Sequence, residues 1–299
     1  MKTMMRITFL DDEGQKFFGE GPARLLRRIE EYGSLRAAAM NMNMAYTKAL
    51  KLMNHAEEAL GFPLTERTTG GKSGGGSVLT HEGRNFLNKY EAYRDACNEE
   101  CMKKYRQFFP KIGCVIMASG MGMRFGGNKL MADFCGEPMI MRAIKATDGL
   151  FDSRIVVTRH EDINKLCKAL GLDSIVHDKP YRSDTVRIGL EALKDVDACM
   201  FLPGDQPLLK RETVAKLLAL WDVNRDSIIR PCFGNEPGSP VIFPRSLFPE
   251  LLNLPEGKGG GFVIKSHPDM VKTLEIDDKW ELEDADTPKK LETLKGFVK

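Results

Sequence analysis

Residues 113–130 read Gly113-Cys-Val-Ile-Met-Ala-Ser-Gly-Met-Gly-Met-Arg-Phe-Gly-Gly-Asn-Lys-Leu130, an apolar run followed by a glycine-rich basic loop. The apolar run Cys114 to Ala118, bounded by turn residues, predicts a short buried strand. Glycines follow at once, at 120, 122, 126 and 127. A glycine backbone comes close to a ligand and adopts positive φ, so its N–H groups can converge on phosphate oxygens. Arg124 and Lys129 add two cations suited to a triphosphate. Neither the dinucleotide-binding spacing G-x-G-x-x-G nor the P-loop pattern is met. The glycines alone leave two readings open, a phosphate-binding loop and a glycine-rich turn with solvated basic residues.

Downstream, short apolar runs alternate with helical stretches. Cys114–Ala118, Ile155–Thr158, Ala198–Leu202, Ser227–Arg230 and Val241–Phe243 read as strands. Pro138–Thr147, Glu161–Leu170, Asp184–Leu193 and Thr213–Trp221 read as helices. The alternation predicts an α/β domain over 112–299 with a mostly parallel, Rossmann-like sheet and a site at the C-terminal ends of its strands. The strand Ala198–Leu202 runs into Pro203-Gly204-Asp205-Gln206-Pro207-Leu208. A carboxylate there sits next to the loop after the first strand, where a Mg²⁺ bridging a triphosphate is needed. By residue type alone, Asp205 is equally a turn former before Pro207.

The order of residues distinguishes these readings. Ala118-Ser119-Gly120-x-Gly122-x-Arg124-x-Gly126-x-x-Lys129-Leu130 resembles the signature L-A-A-G-x-S-x-R-M-G-x-x-K-L of the MobA-like nucleotidyltransferases, in particular the molybdenum cofactor cytidylyltransferases. Met117, Ser119, Gly122 and Phe125 depart from it, while Arg124 and Lys129 stand in place. Leu202-x-Gly204-Asp205-Gln206-Pro207-Leu208 resembles the second signature of that family. Thr185-Val-Arg187-Ile-Gly189-Leu190, Gly238-Ser239-Pro240-Val241 and Asp284-Ala-Asp286-Thr-Pro288 resemble three further segments. Ser239 stands where the cytidylyltransferases have His, and Gly261 where they have Arg, both on the side expected to meet the acceptor.

The resemblance implies transfer of CMP from CTP to molybdopterin with release of pyrophosphate. It assigns the nucleotide to Ala118, Ser119, Gly120, Gly122, Arg124, Lys129, Thr185, Arg187 and Gly204. Arg124, Lys129 and Asp205 would be catalytic, and Asp205 with Asp284 or Asp286 would hold Mg²⁺. In this family the third loop residue is Gly in enzymes that take GTP and Ala in those that take CTP. Ser119 fills space that a purine would need, which favours CTP, unless the base is set around Thr185 and Arg187. Other readings are a regulator whose transferase-like domain senses nucleotide or cofactor, and a transferase using GTP or another phosphorylated acceptor.

Residues 1–108 have a different character. The chain carries a net charge of only +2, and the excess positive charge falls in this first part. Met5 to Leu10 reads as a strand. Gly21-Pro22 opens a helix with Leu25, Leu26, Ile29 and Tyr32 at helical spacing. Ser34 caps a short helix, Leu35 to Met40, and a longer one runs from about Met44 to Leu60. Short helix, tight turn, longer helix is either a helix-turn-helix or a plain helical hairpin. In the first case Tyr46, Thr47, Lys48 and Lys51 face DNA. Leu64–Thr68 and Val78–Thr80 read as strands around a glycine-rich tip, a wing that lays Lys72 on a phosphate backbone.

Residues 21–94 resemble the winged helix of the ModE molybdate-responsive regulators, of LysR type. The resemblance rests on Gly33-Ser34-Leu35, Tyr46 with Ala49, Glu66-Arg67-x-Thr69-Gly70-Gly71-Lys72-x-Gly74-Gly75-Gly76 and Val78-Leu79-Thr80. It implies binding to duplex DNA and a homodimer made in part by a helix from Thr80 to about Phe108. Pro110 and Lys111 form the linker. No apolar run is long enough for a membrane span, and the seven cysteines are scattered among apolar runs. A cytoplasmic protein with reduced thiols and no membrane partner is expected.

Overall fold

The computed structural model describes residues 4–68, 76–122, 125–193 and 195–298. They fall into two compact units, one ending at Phe108 and the other beginning at Phe109.

The first unit opens with a hairpin of β1 (Thr8–Leu10) and β2 (Lys16–Gly19). The expected strand Met5–Leu10 is therefore shorter, and its partner was not read from the sequence. The turn between them is built by the Asp11 carboxylate, which accepts from the N–H groups of Glu13 and Gln15. Helices α1 (Glu20–Tyr32), α2 (Leu35–Asn41) and α3 (Tyr46–Leu60) follow. Gly33, in the left-handed region, ends α1, and the Ser34 hydroxyl accepts from the Ala37 N–H to start α2. Strands β3 (Thr65–Thr68) and β4 (Gly76–Leu79) pair antiparallel, and α4 (His81–Phe108) closes the unit. Leu25, Leu26 and Ile29 of α1 pack with Ala49, Met53, Leu64 and Leu87 in one core. Phe18 meets Phe86 and Tyr90 edge-on there.

The second unit has strands β5 (Ile112–Ala118), β6 (Asp133–Phe134), β7 (Glu137–Pro138), β8 (Ser153–Thr158), β9 (Ser174–Val176), β10 (Ala198–Pro203), β11 (Ile228–Phe233), β12 (Glu236–Pro237), β13 (Val241–Pro244) and β14 (Val271–Glu275). Its helices are α5 (Ile140–Ala146), α6 (Glu161–Ala169), α7 (Arg182–Ala192), α8 (Arg211–Val223), α9 (Phe248–Leu252), α10 (Gly261–Ser266) and α11 (Pro288–Lys295). The main sheet runs β9-β8-β5-β10-β13-β11, with β12 and β14 both paired to β11. Strands β9, β8, β5 and β10 are mutually parallel, and β13 is antiparallel to β10.

Strand β5 alternates between two cores. Cys114, Ile116 and Ala118 face Ile140, Leu202 and Leu217, while Val115 faces Val186, Leu190 and Phe243. Cover on both faces explains the unbroken apolar run. The chain leaves β5 for β8 and β9 on one side, then returns to β10 on the other. That reversal is a topological switch point, where a crevice opens at the carboxyl ends of β5 and β10. All seven cysteines are free thiols, and burial raises the pKa of Cys114 and Cys199. Among the described residues, no helix is long and apolar enough to cross a membrane.

Candidate active site and candidate nucleic-acid interface

The loop after β5 is fixed from the neighbouring strand end. Thr158 Oγ1 donates to the Ala118 carbonyl at 3.0 Å, and His160 Nε2 donates to the Gly120 carbonyl at 3.0 Å. Ser119 Oγ lies 3.1 Å from the Val157 carbonyl and 2.8 Å from His177 Nε2. Gly122 has φ of 59°, and a Cβ on it would come within 2.2 Å of the Gly127 carbonyl oxygen. Glycine is required there by both conformation and space. Arg124 and the wing residue Lys72 lie outside the described residues.

Lys129 follows on a short 3₁₀ turn capped by Asn128 and is only 8% exposed. Its Nζ lies 2.5 Å from Asp205 Oδ2 and 2.9 Å from Asp286 Oδ1. Burial opposes the ammonium, but the two carboxylates outweigh it and hold Lys129 above the usual lysine range. Asp205 stands in the loop after β10, where the Gly204 N–H donates to the Met117 carbonyl. The Asp205 carbonyl accepts from the Ala285 N–H at 2.9 Å, and Gln206 Nε2 donates to the Leu282 carbonyl. These two bonds bring the segment of Asp284 and Asp286 to the crevice. Partial burial first, and the Asp205 charge second, push the Asp284 carboxyl up to about 6. Among the described residues, no group of three acidic, His or Cys side chains forms a ready metal cage. Instead, Lys129 bridges two of the three carboxylates expected to hold the metal.

Two adjoining cavities of about 400 Å³ open at this crevice. Ser119, Gly120, Thr185, Asp205 and Asp284 line the first, joined by Arg159, which sequence reading did not single out. Arg182, Arg230, Lys258 and Lys265 line the second, beside Phe243 and Phe262. Arg182, Met117, Pro203 and Ser239 belong to both. Ala118, Gly122, Lys129 and Gly204 line neither cavity. Arg187 departs from expectation, because its guanidinium is engaged outside both cavities. Its guanidinium donates to the Leu252 carbonyl and to Asp184. Two residues beyond Thr185 on a helix, it points to a different side.

In the first unit, Ala49, Met53 and Ala56 bury one face of α3, whereas Tyr46, Thr47, Lys48 and Lys51 are exposed on its N-terminal half. A helix presenting that half outward beside a two-stranded hairpin is the geometry of a winged helix-turn-helix.

The fold and crevice define a nucleotidyltransferase. Residues 114–271 match the family model of the MobA-like NTP transferase domain, and the chain belongs to that family. Residues 23–84 match the bacterial regulatory helix-turn-helix proteins of the LysR family. The chain is 32% identical over 107 residues to 3-deoxy-manno-octulosonate cytidylyltransferase of Francisella tularensis, covering 34% of this chain and 43% of that one. It is 38% identical over 68 residues to the transcriptional regulator ModE of Haemophilus influenzae, covering 23% and 27%. The chain thus spans less than half the length of these curated relatives. The crystal structure of Rv0371c from Mycobacterium tuberculosis H37Rv superposes with a TM-score of 0.57 at 21% identity, covering 63% of this chain and 100% of that one. A second structure of Rv0371c is a complex with manganese, with a TM-score of 0.53 at 20% identity and the same coverage of both chains.

Proposed function

We propose that the second unit transfers CMP from CTP to the terminal phosphate of molybdopterin, and that the first unit binds duplex DNA as a regulator. The observation that carries the transferase reading is the cluster of Lys129, Asp205, Asp284 and Asp286 beside the glycine loop at the switch point of the sheet. Asp205 and Asp284 line the same cavity, and carboxylate oxygens suit a hard divalent cation such as Mg²⁺. Asp205, with Asp284 or Asp286, would hold it. When bound, it would neutralise charge on the triphosphate.

The chain's own residues account for the remaining requirements. Ser119, Gly120 and Thr185 receive the base and ribose. Loop N–H groups, Arg124 and Lys129 offset charge on the departing pyrophosphate. The acceptor phosphate is already ionised near neutral pH, so an oxygen of it attacks the α-phosphorus in line while the bond to the β-phosphate oxygen breaks. Four cations in the second cavity suit an anionic acceptor, and Phe243 and Phe262 suit a flat ring system. The exposed residues of α3 support DNA contact, and two copies would pair through α4, where residues 91–108 include none buried.

The test is pyrophosphate release from CTP and GTP, with Mg²⁺ or Mn²⁺, with and without molybdopterin. Release that requires both CTP and molybdopterin is expected. A second reading keeps CTP and changes the acceptor. It is favoured by Ser239 and Gly261, which replace the His and Arg of the family pattern at that cavity, and by the relative named for 3-deoxy-manno-octulosonate. Turnover with a phosphorylated or carboxylated sugar, and none with molybdopterin, would select it.

A further inference from the structure

Ser119 and His177 form a pair that the transfer chemistry does not use. The Ser119 hydroxyl has one proton and two neighbours, the Val157 carbonyl at 3.1 Å and His177 Nε2 at 2.8 Å. A carbonyl only accepts. Both contacts are satisfied when Ser119 donates to Val157 O and His177 Nε2–H donates to Ser119 Oγ. The other tautomer would put the imidazole proton on Nδ1, which is buried with no hydrogen-bond partner among the described residues. A buried orphan N–H is rarer and costlier than an orphan lone pair, so the Nε2–H tautomer is selected. Burial, and then the Arg159 charge, hold His177 below the usual histidine range and keep it neutral. The Ser119 proton is then committed and one lone pair is taken. One lone pair remains, on a residue that lines the first cavity.

We propose that His177 locks Ser119 as a hydrogen-bond acceptor that reads an amino group on the base, so that the cavity selects cytosine over uracil. The inference rests on the nucleotide reading of that cavity. Cytosine presents an exocyclic amine where uracil presents a carbonyl oxygen, and the two rings have nearly the same size. The volume of residue 119 therefore separates purine from pyrimidine but cannot separate these two bases. Hydrogen-bond polarity can. Uracil would set two acceptors against each other, and rotating the Ser119 hydroxyl to donate would abandon Val157 O. A site built for one hydrogen-bonding group rejects a ligand lacking it by leaving its own group unpaired. His177 is a positioning residue, since it lines neither cavity.

The experiment is calorimetric titration of the full-length protein with CTP, UTP and GTP in the presence of Mg²⁺. CTP is expected to bind roughly 10- to 100-fold more tightly than UTP. Ser119→Ala should bring that ratio to within about threefold, and His177→Leu should lower it as well. His177→Gln, whose amide N–H can donate to Ser119, should keep most of it. Equal affinities for CTP and UTP in the unmutated protein, or an unchanged ratio in Ser119→Ala, would overturn the inference. A merely structural His177 would weaken both nucleotides equally and leave the ratio alone, which would overturn the lock. Should His177→Leu not fold, the Ser119→Ala ratio decides. Selective CTP binding without pyrophosphate release for any acceptor would sink the transferase reading and leave this one standing. Failure of all three nucleotides to bind would remove both.

Discussion

Lys129 and Asp205 face each other across 2.5 Å, and Asp286 holds the same ammonium from another side. A lysine buried this deeply is kept charged by its carboxylates, so removing either charge unbalances the cluster. Asp205→Asn keeps the shape and deletes one charge where several phosphates meet. Turnover should fall at least ~100-fold, the scale of losing one preorganised contact to a transition state. Steady-state pyrophosphate release checks it, and a folded variant within a few-fold of wild type would sink the assignment. His177 gives a pH signature in the ligand-free protein. Burial, then Arg159, depress its folded pKa below the unfolded value of 6.5, so between the two the unfolded state binds more protons. The corresponding stability is fully present above about pH 6.5 and is lost as pH falls through the folded value. The thermal midpoint should therefore drop less in His177→Gln than in wild type between about pH 7 and pH 5. Parallel pH profiles would refute the depressed pKa.

At the scale of elements, the loop after β5 depends on Gly122 having no side chain. A methyl group there meets the Gly127 carbonyl at 2.2 Å in a backbone region that L-residues avoid. Gly122→Ala should weaken CTP binding by roughly tenfold or more and leave the far-UV circular dichroism unchanged, because the strain sits outside the core. A calorimetric affinity equal to wild type would show that the loop relaxes freely. Strands β5, β8, β10 and β13 were legible in the sequence because they lie inside the sheet, and buried strands read as apolar runs. Strands β9 and β14 were missed, because both are peripheral and half-exposed, and Val271-Lys-Thr-Leu-Glu275 carries charges that an inner strand could not. The loop motif points to Ser119, Gly120 and Lys129, since all three fall within one twelve-residue stretch from Ala118 to Lys129. Arg159, Arg182 and Lys258 reach the crevice from separate segments, His177 meets Ser119 from outside the cavities, and only the fold brings them together. The motif puts Arg187 in the site, whereas helical phase turns it toward Asp184 and Leu252.

At the scale of the whole molecule, a regulator-type winged helix with one hydrophobic core and a nucleotidyltransferase with two share one chain. Separate cores allow the two activities to be disabled one at a time. The full-length protein should bind duplex DNA with an affinity that falls steeply with salt, because phosphate contacts release counterions. Lys48→Ala and Lys51→Ala should each reduce the slope of log affinity against log salt by about 1 and weaken all sequences alike. Changes at Tyr46 or Thr47, exposed on the first turn of α3, should instead alter which sequence is preferred. Asp205→Asn should leave the DNA affinity within about twofold of wild type, since it removes a charge from the other unit and no phosphate contact from this one. If the transferase unit acts as a sensor instead, CTP with Mg²⁺ would shift DNA affinity by the 5- to 150-fold typical of coupled sites, and Asp205→Asn would abolish that shift. Selection from a random DNA pool, run with and without CTP, separates the outcomes. A pool that yields no enriched sequence in either condition would remove DNA recognition from the reading and leave the winged helix as a dimerisation unit.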